Sequence, residues 1–457
     1  MLKKLLFRNF RLLYKAGRAL RSRFTGNGLM ILTAAITAGV FGFDTWQTLS
    51  HQVFSLLFFI IAVALLCSFG FRNKLTVRRL LPDFATAGQP VRYDLIIENP
   101  DDREQVELEV EDQLQTTFPT YAEFHALKDP MDHRRNWFDR SVGYPRLMNL
   151  IRQRRGGFIQ SGGRFSLPAH GRHRYTCTLT PVHRGYLNFT GVRLLKPDPL
   201  GLVYSASEIR LRERLLVFPR HVNLGKLNLP GSRKYQPQGR VMSTSVGDSE
   251  EFLSLREYRA GDPLKKIHWK SFARLNIPVI KEYHDEYCVR QGLILDTWNG
   301  SGDNGLFEDG VSAAASFAIA CIRQDTILDL MFAGEKSYRF NAGRGSLTLE
   351  NMLEILACVQ ASNEDNLEAL QNMAVNVSSE CSVFICILLD WDARRQSLIR
   401  TLRQRGMTVL CIVITPGPAL TEMDTTPLLD HPQYLVQVRQ TDFDRDLQSV
   451  SNRTGPP

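Results

Sequence analysis

The run "QGLILD", Gln291–Asp296, is unbroken apolar sequence ending in a carboxylate. The next segment, "FEDGVSAAASFAIACIR" (Phe307–Arg323), has helical spacing and a face of small residues. From there strand-like and helix-like runs alternate: "TILDLMF", "LENMLEILACVQ", "SVFICILLD", "RRQSLIRTLRQRG" and "TVLCIVI". A strand buried on both faces reads as a continuous apolar run, and alternation with helices implies a parallel sheet. The expectation is a three-layer α/β domain over about 251–445, followed by a flexible tail at 446–457. Open sheets of this kind bind ligands beyond the carboxyl ends of their strands, beside a topological switch point. Two of these runs end there in acids, Asp296 and Asp390.

Working back toward the N-terminus, the period changes to two. "VRYDLIIEN" (Val91–Asn99), "QVELEVED" (Gln105–Asp112), "RHRYTCTLTP" (Arg172–Pro181) and "YLNFTGVRLL" (Tyr186–Leu195) alternate and are bounded by turn residues. Such runs predict an antiparallel β-sandwich over 73–220. An irregular insert at about 119–163, rich in Arg, aromatics and Gly, interrupts it and gives no functional signal. Residues 221–250 read as a linker.

The chain of 457 residues carries a formal charge of +9, but the charge is local. Eight Lys/Arg and no acid fall in 1–24, one acid (Asp44) and no Lys/Arg in 25–71, and four more bases in 72–79, which leaves 80–457 at net −2. A nucleic-acid role for the body loses its support. The basic stretches flank two apolar runs, "GLMILTAAITAGVFGF" (Gly28–Phe43) and "VFSLLFFIIAVALLCSFGF" (Val53–Phe71). About 20 apolar residues cross a bilayer as helix, so 28–72 reads as a transmembrane hairpin. A buried core hairpin and, for the first run, a signal peptide are the rival readings. Bases lie outside the hairpin and none in its connecting loop, which places both termini in the cytoplasm. In the arm at 1–27, Lys4, Arg8, Arg11, Lys15 and Arg18 share one helical face. Leu2, Leu6, Phe10, Leu13, Leu20 and Phe24 fall near the other. That is a basic amphipathic helix suited to an anionic leaflet, or a disordered basic tail that sets topology.

The candidate chemistry is sparse. Asp296 and Asp390 can form half of an oxygen-ligand cation site, or can simply cap the helices that follow. Cys288 lies near His284 and Asp285, with His268 upstream, yet no nucleophile signature surrounds them. The eight cysteines show no C-x-x-C or zinc spacing and read as small buried hydrophobes. "GRGSLTLENML" (Gly343–Leu353) lacks the Lys-Ser/Thr of a phosphate loop and reads as a turn with a helix cap. The densest stretch is "LREYRAGDPLKKIHWKSFAR", Leu255–Arg274. A turn at Gly261-Asp262-Pro263 and a short helix through Trp269 are expected. Arg256 and Arg274 are fixed cations with Asp262 as the local acceptor, and His268 and Trp269 follow. The stretch suits a structural clamp, and equally a protein docking face, because Arg, Tyr and Trp dominate interface hot spots.

Together with "HRGYLNFTGVRLLKPDPLGL" (His183–Leu202) and "LLVFPR" (Leu215–Arg220), this stretch resembles the bacterial family called domain of unknown function 58. The family's Arg-x-Tyr-x-x-Gly-Asp, Ile-(Asp/His)-Trp and Ala-Arg elements correspond to Arg256, Tyr258, Gly261, Asp262, Ile267, His268, Trp269, Ala273 and Arg274. The resemblance covers roughly 30–440. It implies an inner-membrane protein with two N-terminal helices, a β-sandwich and a von Willebrand factor A-like domain. It implies no enzymatic activity and an adaptor or assembly role with a MoxR-type AAA+ ATPase, with a transglutaminase-like membrane protein as a further partner. Metal-binding von Willebrand A domains carry Asp-x-Ser-x-Ser where this chain has "DTWNG". Asp296 is kept, while Trp298 and Gly300 replace both serines, so a Mg²⁺ site at Asp296 and Asp390 lacks its hydroxyl ligands. The expectation is a protein-interaction module without cofactor; the alternative is a membrane-tethered structural or envelope-maintenance component without ATPase or cation.

Overall fold

The computed structural model describes residues 2–41, 48–68, 74–126, 136, 137, 139, 143–227, 252–283, 290–298, 300, 304–334, 337–342, 348–417 and 423–453, except 261, 263, 325, 363 and 429. The chain divides into two compact units, Met1–Arg220 and His221–Pro457.

The first unit opens with helices α1 (Leu2–Arg23), α2 (Gly26–Phe41) and α3 (Thr48–Ser68). It continues through β1 (Thr76–Leu80), β2 (Phe84–Thr86), β3 (Val91–Glu98) and β4 (Gln105–Leu114). Helices α4 (Tyr121–Ala126) and α5 (Tyr144–Arg154) follow, then β5 (Gly157–Gln160) and β6 (Phe165–Leu167). The last strands are β7 (Arg172–Pro181), β8 (Gly185–Pro197) and β9 (Tyr204–Phe218). One sheet runs β1-β3-β7-β5 and the other β2-β9-β8-β4-β6. Pairing is antiparallel except between β2 and β9. The inward residues of alternating strands, among them Leu95, Ile97, Leu108, Val110, Cys177, Leu179, Val192, Leu194 and Val217, build one core.

α2 and α3 pack on each other and expose a band of large apolar side chains, including Met30, Ile36, Val40, Leu56, Phe58, Phe59 and Leu66. α3 is long and apolar enough to cross a membrane, and α2 is apolar but only 16 residues long. The loop between them lies mostly outside the described residues. Both helices are seated on the β8–β9 turn. Thr25, between α1 and α2, donates from its amide to the Leu202 carbonyl at 3.0 Å and from its hydroxyl to the Gly201 carbonyl at 2.6 Å. The same hydroxyl accepts from Gly28 N–H, satisfying one free donor of the helix start. Gly28 must be glycine here, because a Cβ would stand 1.9 Å from the Leu202 carbonyl oxygen. At the other end of the hairpin, Ser205 Oγ donates to the Ser68 carbonyl at 2.7 Å.

The described residues of the insert include two helices. α4 and α5 place Phe124, Leu147 and Ile151 in a cluster with Phe7 and Phe10 of α1. Its helices are too short to show a clear period, and their apolar side chains find partners more than a hundred residues earlier in the chain.

The second unit begins with β10 (Phe252–Glu257), α6 (Trp269–Leu275) and β11 (Val279–Tyr283). The α/β part comprises β12 (Arg290–Leu295), α7 (Asn304–Ile322), β13 (Ile327–Ala333), β14 (Ser337–Ala342), α8 (Leu349–Cys358) and α9 (Leu367–Val377). It closes with β15 (Val383–Leu388), α10 (Ala393–Gln404), β16 (Thr408–Thr415), β17 (Leu435–Arg439) and α11 (Phe443–Arg453). The six-stranded sheet runs β14-β13-β12-β15-β16-β17 and is parallel except for the edge strand β14. Ile294 faces the cluster built by α9 and α10, while its neighbour Leu295 lies against Gly310 of α7 on the opposite face. α7 passes the same length and hydropathy test as α3, but it is buried and is a core helix.

One expectation is corrected here. Residues 446–453 are not a flexible tail: they continue α11, with Leu447 and Val450 fully buried and Asp446 bonded to Arg439. At the start of the expected linker, Val222, Leu224 and Leu227 are buried and Val222 N–H donates to Ser316 Oγ at 2.8 Å; residues 228–250 lie outside the described residues.

Candidate functional site

Sheet topology creates one switch point. From β12 the chain adds β13 and β14 on one side, then crosses back to β15 on the other. Asp296 follows β12 and Asp390 lies just beyond β15, so both predicted acids stand at this crevice. They are not equivalent. Asp390 is exposed and accepts from Trp391 N–H at 2.7 Å. Asp296 is buried, and its two oxygens are already committed. Oδ1 accepts from Trp298 N–H at 3.1 Å, and Oδ2 accepts from Leu389 N–H at 3.2 Å and from Arg395 Nε at 2.6 Å.

Arg395 was not legible as a site residue. It enters because Asp392 caps α10, accepting from Arg395 N–H at 2.9 Å, which fixes the first helical turn against the crevice. The same carboxylate accepts from Arg395 Nη1 at 2.8 Å. The guanidinium is fully buried and lies 5.0 Å from the Trp298 ring centroid. Burial works to lower the Arg395 pKa, but the charge and hydrogen bond of Asp296, then the Asp392 charge, raise it above its ordinary value. Burial raises the Asp296 carboxyl, and the Arg395 charge opposes the rise.

This donor set does not fit a divalent cation. A positive group already faces Asp296, the residue at 298 is an indole, and Gly300 contributes no side-chain oxygen. No group of three or more His, Cys, Asp or Glu able to hold a metal occurs among the described residues.

The dense stretch forms a hairpin. β10 and β11 pair antiparallel, and Ile267 bridges to Ile280. Ile267, Val279 and Ile280 are buried and give the hairpin its apolar centre. Arg256 and Asp262 form a bidentate pair at 2.7 and 2.8 Å, and Asp262 also accepts from Arg259 N–H at 2.9 Å. The Arg256 hydrogen bond, helped by the Arg259 N–H, lowers the Asp262 pKa to about 2. Tyr258 N–H donates to the Pro278 carbonyl at 2.9 Å, closing the turn. The expected helix is displaced: a 3-10 turn spans Leu264–Lys266, and α6 starts at Trp269 rather than ending there. His268 precedes α6, its amide bonded to the Val279 carbonyl and its Nδ1 2.7 Å from Ser271 Oγ. Asn276 ends α6 in the left-handed region, where asparagine is tolerated. Arg274 lies exposed in the last turn of α6. Gly261, His284, Asp285 and Cys288 lie outside the described residues.

Arg256 and Asp262 of the motif are thus paired with each other, whereas several of its apolar side chains are exposed. Trp269 is 63% exposed and Leu264 64%, and Leu255 and Ile277 are exposed beside them in the sequence of the hairpin. The cysteines, expected to be buried, divide among the described residues: Cys67 and Cys358 are exposed, and the others are buried. Cys177, Cys321 and Cys381 are buried, and burial pushes each up to about 12.

Residues 254–415 match the family described as protein of unknown function DUF58. The match runs from within β10 to the end of β16, so it takes in both the hairpin and the switch point. It does not reach the first unit. An uncharacterized protein, YeaD of Bacillus subtilis (strain 168), is 25% identical over 189 residues, 41% of this chain and 46% of that protein. The chain thus spans less than half the length of this curated relative. Among solved structures, the chain is similar to proximal thread matrix protein 1 from the mussel byssus, with TM-score 0.29 and 12% identity over 37% of this chain and 48% of that one. It is also similar to the manganese-loaded Plasmodium vivax TRAP protein, with TM-score 0.28 and 11% identity over 36% and 74% of the two chains. These structural likenesses are remote.

Proposed function

We propose that this protein is a membrane-anchored protein-interaction module with no enzymatic activity of its own, and that the open half of the hairpin is its docking face. The observation that carries the reading is the exposure of Trp269 and Leu264 on a hairpin whose backbone is held by Arg256–Asp262 and by Ile267. A rigid frame presenting an exposed indole fits the chemistry of an interface hot spot. The band of exposed apolar residues on α2 and α3 supports their assignment as a bilayer-spanning hairpin. Basic residues on both outer flanks support cytoplasmic termini and a cytoplasmic body at the inner membrane. The partner suggested by the resemblance is a MoxR-type AAA+ ATPase, and the von Willebrand A-like part then works without a cation, because Arg395 supplies the positive charge beside Asp296.

The test is affinity between the detergent-solubilised full chain and a purified MoxR-type ATPase, with and without EDTA and in the absence of nucleotide. Trp269→Ala is expected to weaken binding by about 30-fold, a hot-spot loss of about 2 kcal/mol. Because the ring is exposed, unfolding stability should move by no more than about 0.5 kcal/mol. EDTA should change neither value. Unchanged affinity in Trp269→Ala would remove the hairpin from the interface, and no binding by the unsubstituted protein would favour the structural, ATPase-independent alternative.

A further inference from the structure

We infer that α1 is a bar lying on the anionic surface of the bilayer, clasped by the α4–α5 insert on one side and embedded in lipid headgroups on another. This rests on α2 and α3 spanning that bilayer. An α-helix of 22 residues is about 33 Å long, and residues three and four apart share a face. Side chains of α1 fall into three sectors on that period. Phe7 and Phe10, with Leu6 and Tyr14 beside them, face the insert and pack against Phe118, Tyr121, Phe124, Leu147 and Ile151. Lys4 and Arg11 border this sector, Lys4 over the Tyr121 ring and Arg11 over the Phe118 ring. Arg8, Lys15 and Arg18 continue round the helix and are exposed. The remaining sector carries Leu12 and Leu13, 62% and 61% exposed, with Ala16, Ala19 and Leu20 also exposed.

The protein already covers one apolar side of α1 and leaves the other open. The open side adjoins the basic sector, and α1 contains no acidic residue. An apolar strip beside a row of cations is complementary to an acyl boundary beneath anionic headgroups. The position agrees: α1 ends at Arg23, and the apolar helix α2 starts at Gly26, with Thr25 pinned to the β8–β9 turn between them. The sequence alone grouped Phe10 with Leu13 and Leu20 on one apolar side. The structure separates them, giving Phe10 to the insert and leaving Leu13 and Leu20 for a different neighbour.

The test uses the full chain with Cys67, Cys288 and Cys358 replaced by serine, reconstituted in phosphatidylcholine vesicles with or without phosphatidylglycerol. An environment-sensitive probe is attached at Leu13→Cys or, as the reference for the span, at Leu56→Cys. Quenching by spin-labelled lipid is compared with quenching by aqueous iodide. The Leu56 probe should be quenched by lipid in both vesicles. The Leu13 probe should be quenched by lipid severalfold more strongly with phosphatidylglycerol, and Arg8→Glu with Lys15→Glu should abolish that gain without altering the Leu56 probe. Iodide quenching of the Leu13 probe in both vesicles, with the Leu56 probe lipid-quenched, overturns the proposal and leaves the span intact. Protection of the Leu13 probe from both quenchers shows that protein covers this face and also overturns it. Equal lipid quenching in the two vesicles overturns the anionic assignment. A Leu56 probe that lipid does not quench removes the span on which the proposal rests.

Discussion

Each unit of the molecule buries one arginine against one aspartate under an aromatic ring, and the two pairs are finished differently. In the first unit Arg79 of β1 bridges the two sheets of the sandwich. It bonds both oxygens of Asp112 on β4, at 2.6 and 3.0 Å, and reaches Glu213 of β9 at 3.1 Å. Tyr93 donates to the same Asp112 at 2.6 Å, and the guanidinium stands 4.4 Å from the Phe189 centroid. In the second unit Arg395 reaches Asp296 and Asp392, with Trp298 over it, and its Nη2 finds no partner within the protein among the described residues. The first pair is a closed polar knot inside a core. The second stands at the carboxyl ends of parallel strands, beside the exposed Asp390 and the partly exposed Trp298. The same chemistry serves as a tie between sheets in one place and as a salt bridge at the strand ends in the other.

Removing the arginines gives the largest separation between the two. Arg79→Met leaves Asp112 in the sandwich core with the Tyr93 hydroxyl and the Gln113 N–H as its remaining donors and takes the cation from Glu213 as well, and a stability loss of about 3–5 kcal/mol is expected. Arg395→Met leaves Asp296 with two backbone N–H donors, from Trp298 and Leu389. A smaller loss, about 2 kcal/mol, is expected there. Urea unfolding of the detergent-solubilised chain measures both. Equal losses would show that the crevice pair is as structural as the knot.

The two units also differed in how far they could be read from sequence. The parallel sheet announced itself, since "LILD" and "CILLD" are buried on both faces and end in the acids that mark the switch point. The sandwich strands were equally plain from their period of two. Arg395 was hidden because "DARRQ" looks like any solvated helix start, and only the fold turns its first turn toward Asp296. Arg79 was counted with the basic flank of the apolar hairpin, although its side chain is fully buried. The insert failed for a related reason: "YAEFHA" and "YPRLMNLIRQR" have apolar faces that only α1 completes. Local pattern reports period and charge, and it is silent about which distant segment will accept a face.

A closed contact should also be intolerant of volume. Gly28→Ala sets a methyl group against the Leu202 carbonyl, a backbone atom that also accepts from Thr25. Overpacking of this kind destabilises by about 1–3 kcal/mol. Lost hydrogen-exchange protection at the Thr25 amide, with sandwich strands β3 and β7 still protected, would locate the damage at the seat of the two helices. Full protection at Thr25 would mean that the β8–β9 turn yields, and that the first unit is less closed than Arg79 suggests.

The smallest effect is expected at the open ion pair of the hairpin. Asp262 has its pKa lowered from 3.8 to about 2, by the Arg256 hydrogen bond first and then by the Arg259 N–H. A carboxylate with a depressed folded pKa contributes stability that is fully present above its unfolded pKa and is lost as pH falls through the folded value. The hairpin should therefore hold at pH 4 and above, within about one unit of the ordinary carboxylate range, and loosen only as pH approaches 2. Carboxyl carbon NMR on aspartate-labelled protein reads this directly, and Arg256→Gln should return the Asp262 midpoint toward 3.8. A midpoint near 3.8 in the unsubstituted protein would mean that solvent dissolves the pair. The frame presenting Trp269 would then depend on Ile267 and the strand pairing rather than on the ion pair.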